Sequence, residues 1–206
     1  MSITKKTLDS VTKNSSNALK ELAEQVESIV FPCAEEFKFE TSKLSGNYVY
    51  ETLNSVPSGY EKEHKETDFI YVFEIQNPKK DIKKKIYDAL CSARQNQETD
   101  NSKDNNNSKD KKDSKDKKDF CRLNNSDSNY LYVGRSKKLR SRLNQHLNND
   151  HKGIYAMHML RWISGINVAI KVYYFKFDSQ PSLVMQALED GLWDIFQPMF
   201  GKKGGK

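Results

Sequence analysis

The chain has 206 residues, 30% of them charged and 36% hydrophobic, a length that suits one domain with appendages rather than two full domains. No apolar run approaches the roughly 20 residues that span a bilayer, and the start, MSITKKTLDSVTKNSSNALKEL, lacks the apolar stretch of a secretory signal. Neither membrane insertion nor export is therefore expected, and a cytoplasmic protein is. The three cysteines, Cys33, Cys91 and Cys121, are odd in number and form no C-x-x-C pair, which disfavours a disulfide scaffold and a zinc finger.

The net charge of +6 is unevenly spread: Phe120 to Lys206 holds 13 basic against 6 acidic residues. The C-terminal part is the one that would seek an anion. In chain order, residues 17–30 carry Ala18, Leu19, Leu22, Val26, Ile29 and Val30 as a helical stripe that ends near Pro32. Residues 38–66 read as irregular and polar. Phe69–Ile75 (FIYVFEI) is the first strand, stopped by Asn77-Pro78, and a basic helix follows over 80–95 with Ile82, Ile86, Ala89 and Leu90 inside.

A low-complexity insertion is expected over 95–128. Its core, Gln95–Asp119, has no hydrophobic residue and seven lysines against seven acids, so burial cannot offset its ordering entropy and disorder is predicted. Tyr130–Gly134 (YLYVG) is a second strand. RSKKLRSRLNQHLNN then reads as a helix with Leu139, Leu143 and Leu147 on one face and Lys138, Arg142 and His146 on the next. A helix over 154–164, a strand over 168–177 and a helix from Pro181 to Phe196 complete the pattern. The fold class expected is α+β: a small, mainly antiparallel three-stranded sheet flanked by helices. Residues 1–66 form an N-terminal helical and irregular extension to a domain spanning 67–206.

The densest chemistry is Arg135–His146, with five basic residues and no acid directly after a glycine that ends a strand. Such a cluster suits phosphate, and an arginine fork can hold a phosphodiester bidentately and stabilise charge that develops during transfer.

Tyr132-Val133-Gly134 with the spacing to Arg142 and His146 resembles the second half of the GIY-YIG nuclease core. Phe69-Ile70-Tyr71 resembles its first half, with Phe69 in place of glycine, and Glu189 stands nine residues before Pro198, as the family's metal-binding glutamate does. A literal Gly153-Ile154-Tyr155 follows the Y-V-G strand instead of preceding it and is read as the start of a helix. Tyr71 and Tyr132 are 61 residues apart, a gap filled by the basic helix and the insertion. An asparagine often found three residues after the proline is Gly201 here.

The resemblance implies a metal-dependent DNA endonuclease. Glu189 would hold one Mg²⁺ or Mn²⁺, and Tyr71 would be the general base, with His146 as the competing assignment. Tyr132 would orient water or phosphate, and Arg142 would stabilise the pentavalent phosphate. Arg135 is implied as a phosphate contact, and Lys137, Lys138 and Arg140 join it as phosphate-binding residues from the basic run. A free-standing restriction-type enzyme is favoured, with residues 17–30 as a candidate homodimer interface. The alternatives are a repair-type or mobile-element nicking nuclease, a catalytically inactive nucleic-acid-binding module, and a helical interaction protein with a basic surface.

Overall fold

A computed structural model of the chain describes residues 5–58, 67–104, 120–148 and 153–204. The elements run α1 (Lys5–Glu27), β1 (Glu35–Glu40), α2 (Gly46–Leu53), β2 (Thr67–Ile75), α3 (Lys80–Asp104), β3 (Tyr130–Ser136), α4 (Leu139–Leu147), β4 (Ala169–Asp178) and α5 (Ser182–Phe196). The sheet has four strands in the order β1-β4-β2-β3, and each neighbouring pair is antiparallel. The expected class and direction hold, but the three-strand expectation is corrected by β1.

That strand was hidden because EEFKFE is charged at four of six positions. Phe37 and Phe39 alternate with the charges and stack with ring centroids 6.4 Å apart, which gives one apolar face to an edge strand whose other face is polar. The same stretch holds α2, whose start is capped by Ser45: its Oγ accepts the Tyr48 N–H at 3.2 Å. Val49 and Leu53 are its buried face.

The sheet is covered on both sides. One face packs Phe69, Tyr71 and Phe73 of β2 against α2, α3 and α4, with Leu139, Leu143 and Leu147 fully buried as their spacing predicts. The other packs Ile70 and Phe177 under Val184, Met185 and Leu188 of α5, and Leu22, Val26 and Ile29 join from α1 and the turn after it. Of the apolar residues in the expected dimer interface at 17–30, Leu22, Val26 and Ile29 are thus partly covered by the chain's own sheet and helix, while Leu19 and Val30 are exposed.

Two further expectations change. The helix begun at Lys80 continues to Asp104 rather than stopping near 95, and at the far end of the insertion Phe120 and Leu123 bridge to Ala156 and Phe200. The rest of the insertion, 105–119, lies outside the described residues. Nor is 154–164 an α-helix: Ala156, Met157, His158 and Met159 are buried in succession, which no single helix face can achieve. The backbone there is extended, turns left-handed at His158 (φ 49°) and makes only a 3-10 turn at Met159–Arg161. No helix among the described residues is long and apolar enough to cross a membrane, and all three cysteines are free.

Candidate active site

β2 and β3 bring the two tyrosine motifs together despite their separation in sequence. Their register sets Tyr71 opposite Gly134 and Phe73 opposite Tyr132, and the Tyr71 and Tyr132 rings lie nearly parallel, 5° apart with centroids separated by 6.3 Å. Both rings lean over Gly134. A Cβ there would fall 2.5 Å from the Tyr71 hydroxyl oxygen and 2.8 Å from Tyr132 Cε1, so the strand needs glycine at that point to let the rings reach the edge of the sheet.

α4 delivers the next two groups from one face of one helix. The Arg142 guanidinium donates from Nε to the Tyr71 hydroxyl (3.3 Å), from one terminal nitrogen to Gln145 Oε1 (2.9 Å), and from the other to the Tyr155 carbonyl (2.9 Å). The fork is thus held rigidly beside the phenol. His146 is fully buried and lies 3.0 Å by its Nε2 from the same hydroxyl.

The other ring nitrogen fixes which way that bond runs. His146 Nδ1 accepts the Met157 backbone N–H at 3.2 Å, so in a neutral imidazole the proton resides on Nε2 and is donated to Tyr71. The ring is held neutral because burial, then the Arg142 charge, push His146 well below its ordinary value. Tyr71 consequently accepts two N–H donors on one oxygen. Burial pushes its phenol above the usual value, while Arg142 pulls it down by charge and hydrogen bond.

α5 closes the site from the other side of the strand edge. Glu189 and Gln186, one turn apart, line a cavity of about 140 Å³ together with Tyr71, Tyr132, Gly134, Arg135, Arg142, Tyr155 and Lys202. Gln186 Nε2 donates to Glu189 Oε2 at 3.3 Å and to Asp190 at 3.1 Å. Burial pushes the Glu189 carboxyl up to about 7, against the opposing pull of Arg135.

Five sequence-derived residues, Tyr71, Tyr132, Arg135, Arg142 and Glu189, therefore meet at one cavity; His146 lies behind Tyr71. The expected phosphate contacts are divided. Lys137 and Lys138 are exposed in the turn before α4. Arg135 is fastened to the start of α5, donating to the Ser182 carbonyl at 2.8 Å. Arg140 turns away from the cavity and donates to the carbonyls of Val56 (2.8 Å) and Asn54 (3.1 Å), which locks α4 to the end of α2.

Sequence reasoning missed Gln145 and Gln186, although both stand three residues from a key residue on the same helix, a spacing that signals contact. It set aside Tyr155 with the out-of-order Gly153-Ile154-Tyr155, yet its carbonyl anchors Arg142 and its hydroxyl accepts the Arg122 N–H at 2.9 Å. Gly201 is also explained. Its φ of +106° and a prospective Cβ 3.0 Å from Tyr132 Cε2 bar an asparagine there, and Asn124 supplies an amide from elsewhere by donating to the Gly201 carbonyl at 2.9 Å.

The cavity fits a hard divalent ion. Glu189 offers a carboxylate with 16% side-chain exposure, and the space far exceeds the ~10–15 Å³ that one water requires. No group of three or more His, Cys, Asp or Glu side chains clusters among the described residues, so water and phosphate oxygens would complete the coordination, as Mg²⁺ prefers.

A search of curated proteins found no match, and neither did a search of solved structures. Residues 122–202 match the family model described as "GIY-YIG catalytic domain". That span contains β3, α4, β4 and α5, while β2, ahead of it in sequence, completes the paired-tyrosine arrangement next to β3. Over residues 122–202, fewer than half of its 206, the chain is similar to the GIY-YIG catalytic domain, a nuclease domain.

Proposed function

We propose that the chain is a divalent-metal-dependent DNA endonuclease that hydrolyses phosphodiester bonds, of the restriction type. The observation that carries the catalytic reading is the convergence of Tyr71, Arg142 and Glu189 on one cavity, with His146 donating to Tyr71 from behind.

Tyr71 is the general base in this reading. Two N–H donors on its oxygen stabilise the phenolate, and the proton it sheds has the cavity as its exit. As a water oxygen attacks phosphorus, that water's proton passes to the Tyr71 oxygen and the bond to the leaving alkoxide breaks. His146 does not take the proton in its stead, because its Nε2 already bears one; it holds and polarises the phenol. Arg142 faces the phosphate with its remaining N–H groups and stabilises the pentavalent charge. Tyr132, stacked beside Tyr71, orients the water or the phosphate. Glu189 would hold Mg²⁺ or Mn²⁺, which supplies Lewis-acid relief for the leaving oxygen. Lys137 and Lys138 engage flanking phosphates.

The restriction-type assignment is supported by the extension. β1 joins the same sheet as the catalytic strands, and α1 packs on α5, so the N-terminal third builds one body with the nuclease core. The test is incubation of supercoiled and linear DNA with and without Mg²⁺, beside Glu189→Ala. Discrete metal-dependent fragments lost in the variant are expected. Nicking alone would move the assignment to a repair-type or mobile-element enzyme. Binding without cleavage under any divalent ion would make it an inactive binding module.

A further inference from the structure

Asp68 stands one residue before the Phe69-Ile70-Tyr71 motif and is buried, with 7% side-chain exposure. One carboxylate oxygen accepts the Phe69 N–H at 3.0 Å, and the other lies 3.8 Å from Arg135 Nε. The same Nε lies 4.0 Å from Glu189 Oε2. One guanidinium is thus flanked by two carboxylates on different elements, β2 and α5, at distances too long for hydrogen bonds to either. Its close bond is instead to the Ser182 carbonyl, 2.8 Å away.

This poses an electrostatic problem at Glu189. A cation that close to a metal-binding carboxylate, in a half-buried site, attracts the carboxylate and repels a divalent ion. Asp68 beside the same guanidinium offsets that charge, so an incoming cation meets less repulsion at Glu189, with Arg142 and Lys202 the cations that remain along the cavity. We propose that Asp68 is a positioning residue of the metal site: it neutralises and retains Arg135, and so leaves the Glu189 carboxylate available to a divalent ion. The inference rests on the assignment of Glu189 as metal ligand under the proposed function. Arg135 becomes a fixed structural cation of the site, and its contact with phosphate is secondary.

The experiment is Mn²⁺ binding to the full chain without DNA, followed by electron paramagnetic resonance of the free ion. Wild type is expected to bind, and Glu189→Gln to lose that binding; if wild type shows no binding, the metal assignment fails and this inference with it. Asp68→Asn keeps the acceptor for the Phe69 N–H but removes the charge, and is expected to weaken binding about tenfold, the scale seen when a group supporting a ligand is removed. Arg135→Gln alone should bind several-fold more tightly than wild type. Combining it with Asp68→Asn should return affinity to near the wild-type value. Asp68→Glu should keep most of the affinity. Asp68→Asn within twofold of wild type, or a double variant as weak as Asp68→Asn, would overturn the charge-balance role. Should Asp68→Asn fail to fold by thermal melting, weaker or unchanged binding in Arg135→Gln would overturn it independently.

Discussion

Gly134 faces Tyr71 directly across the β2–β3 ladder, and a methyl group on its Cα would sit 2.5 Å from the Tyr71 hydroxyl oxygen. No Cβ tolerates that distance, and the blocking atoms belong to a ring that is fully buried. Gly134→Ala must therefore displace the phenol and break its bonds to His146 and Arg142. We expect cleavage to fall by at least about 100-fold, comparable to losing a stabilising donor, with a stability loss of about 1–3 kcal/mol from overpacking. Single-turnover cleavage and urea denaturation measure the two. A variant that retains wild-type cleavage would show that the ring position is not critical.

The basic run Arg135–Arg142 should separate into structural and DNA-facing residues. Arg140→Ala strips two donors from the carbonyls of Asn54 and Val56. It should cost about 1–3 kcal/mol of stability while leaving metal-free DNA affinity unchanged. Lys137→Ala with Lys138→Ala, both in the exposed turn, should do the reverse. The slope of log affinity against log salt should fall by about 1.8 if both neutralise a phosphate. Fluorescence anisotropy across a salt series, beside a melt, distinguishes them; a reversed result would place Arg140 on the DNA.

Much of this site was legible in the sequence because its chemistry sits on regular elements. Tyr132, Arg142, His146 and Glu189 lie at fixed offsets on β3, α4 and α5, where periodicity determines which residues share a face. Asp68 was not legible: its significance depends on β2 lying beside β3 and on α5 crossing the same spot, a relation across more than 120 residues. β1 escaped because four charges in six residues mask two alternating phenylalanines. The segment after Gly153 escaped for the opposite reason, since consecutive burial at 156–159 has no period for a pattern to match. Its backbone nevertheless fixes both the Arg142 fork and the His146 tautomer.

His146 should make the protein acid-sensitive. Its folded pKa lies well below the ordinary value near 6.5, through burial and then the Arg142 charge. The unfolded chain thus binds a proton more readily than the folded one. This stability is present above about pH 6.5 and is lost as pH falls through the folded value, by up to about 1.4 kcal/mol per pH unit. Glu189 acts in the opposite sense in the metal-free protein, because its carboxyl is pushed up to about 7 by burial. Comparing wild type with His146→Gln isolates the histidine: urea unfolding from pH 8 to pH 5 should show a steeper acid loss in wild type. Parallel curves would show that His146 is protonated in the fold.

The assignment of the base can be read from the rate profile. If Tyr71 must be a phenolate, cleavage at saturating metal should climb with pH, with a log slope near 1 until the phenol is ionised, because burial pushes that group upward. If His146 were the base, its lowered pKa would leave it deprotonated throughout, and the rate would already be level at pH 7. Tyr71→Phe should abolish the slope along with nearly all activity. His146→Gln, which can still donate an N–H toward the phenol, should retain a measurable rate with the slope intact. A flat wild-type profile from pH 7 to pH 9, together with substantial activity in Tyr71→Phe, would remove Tyr71 from the proton transfer altogether. The 3.0 Å bond between Tyr71 and His146 would then have only a packing role.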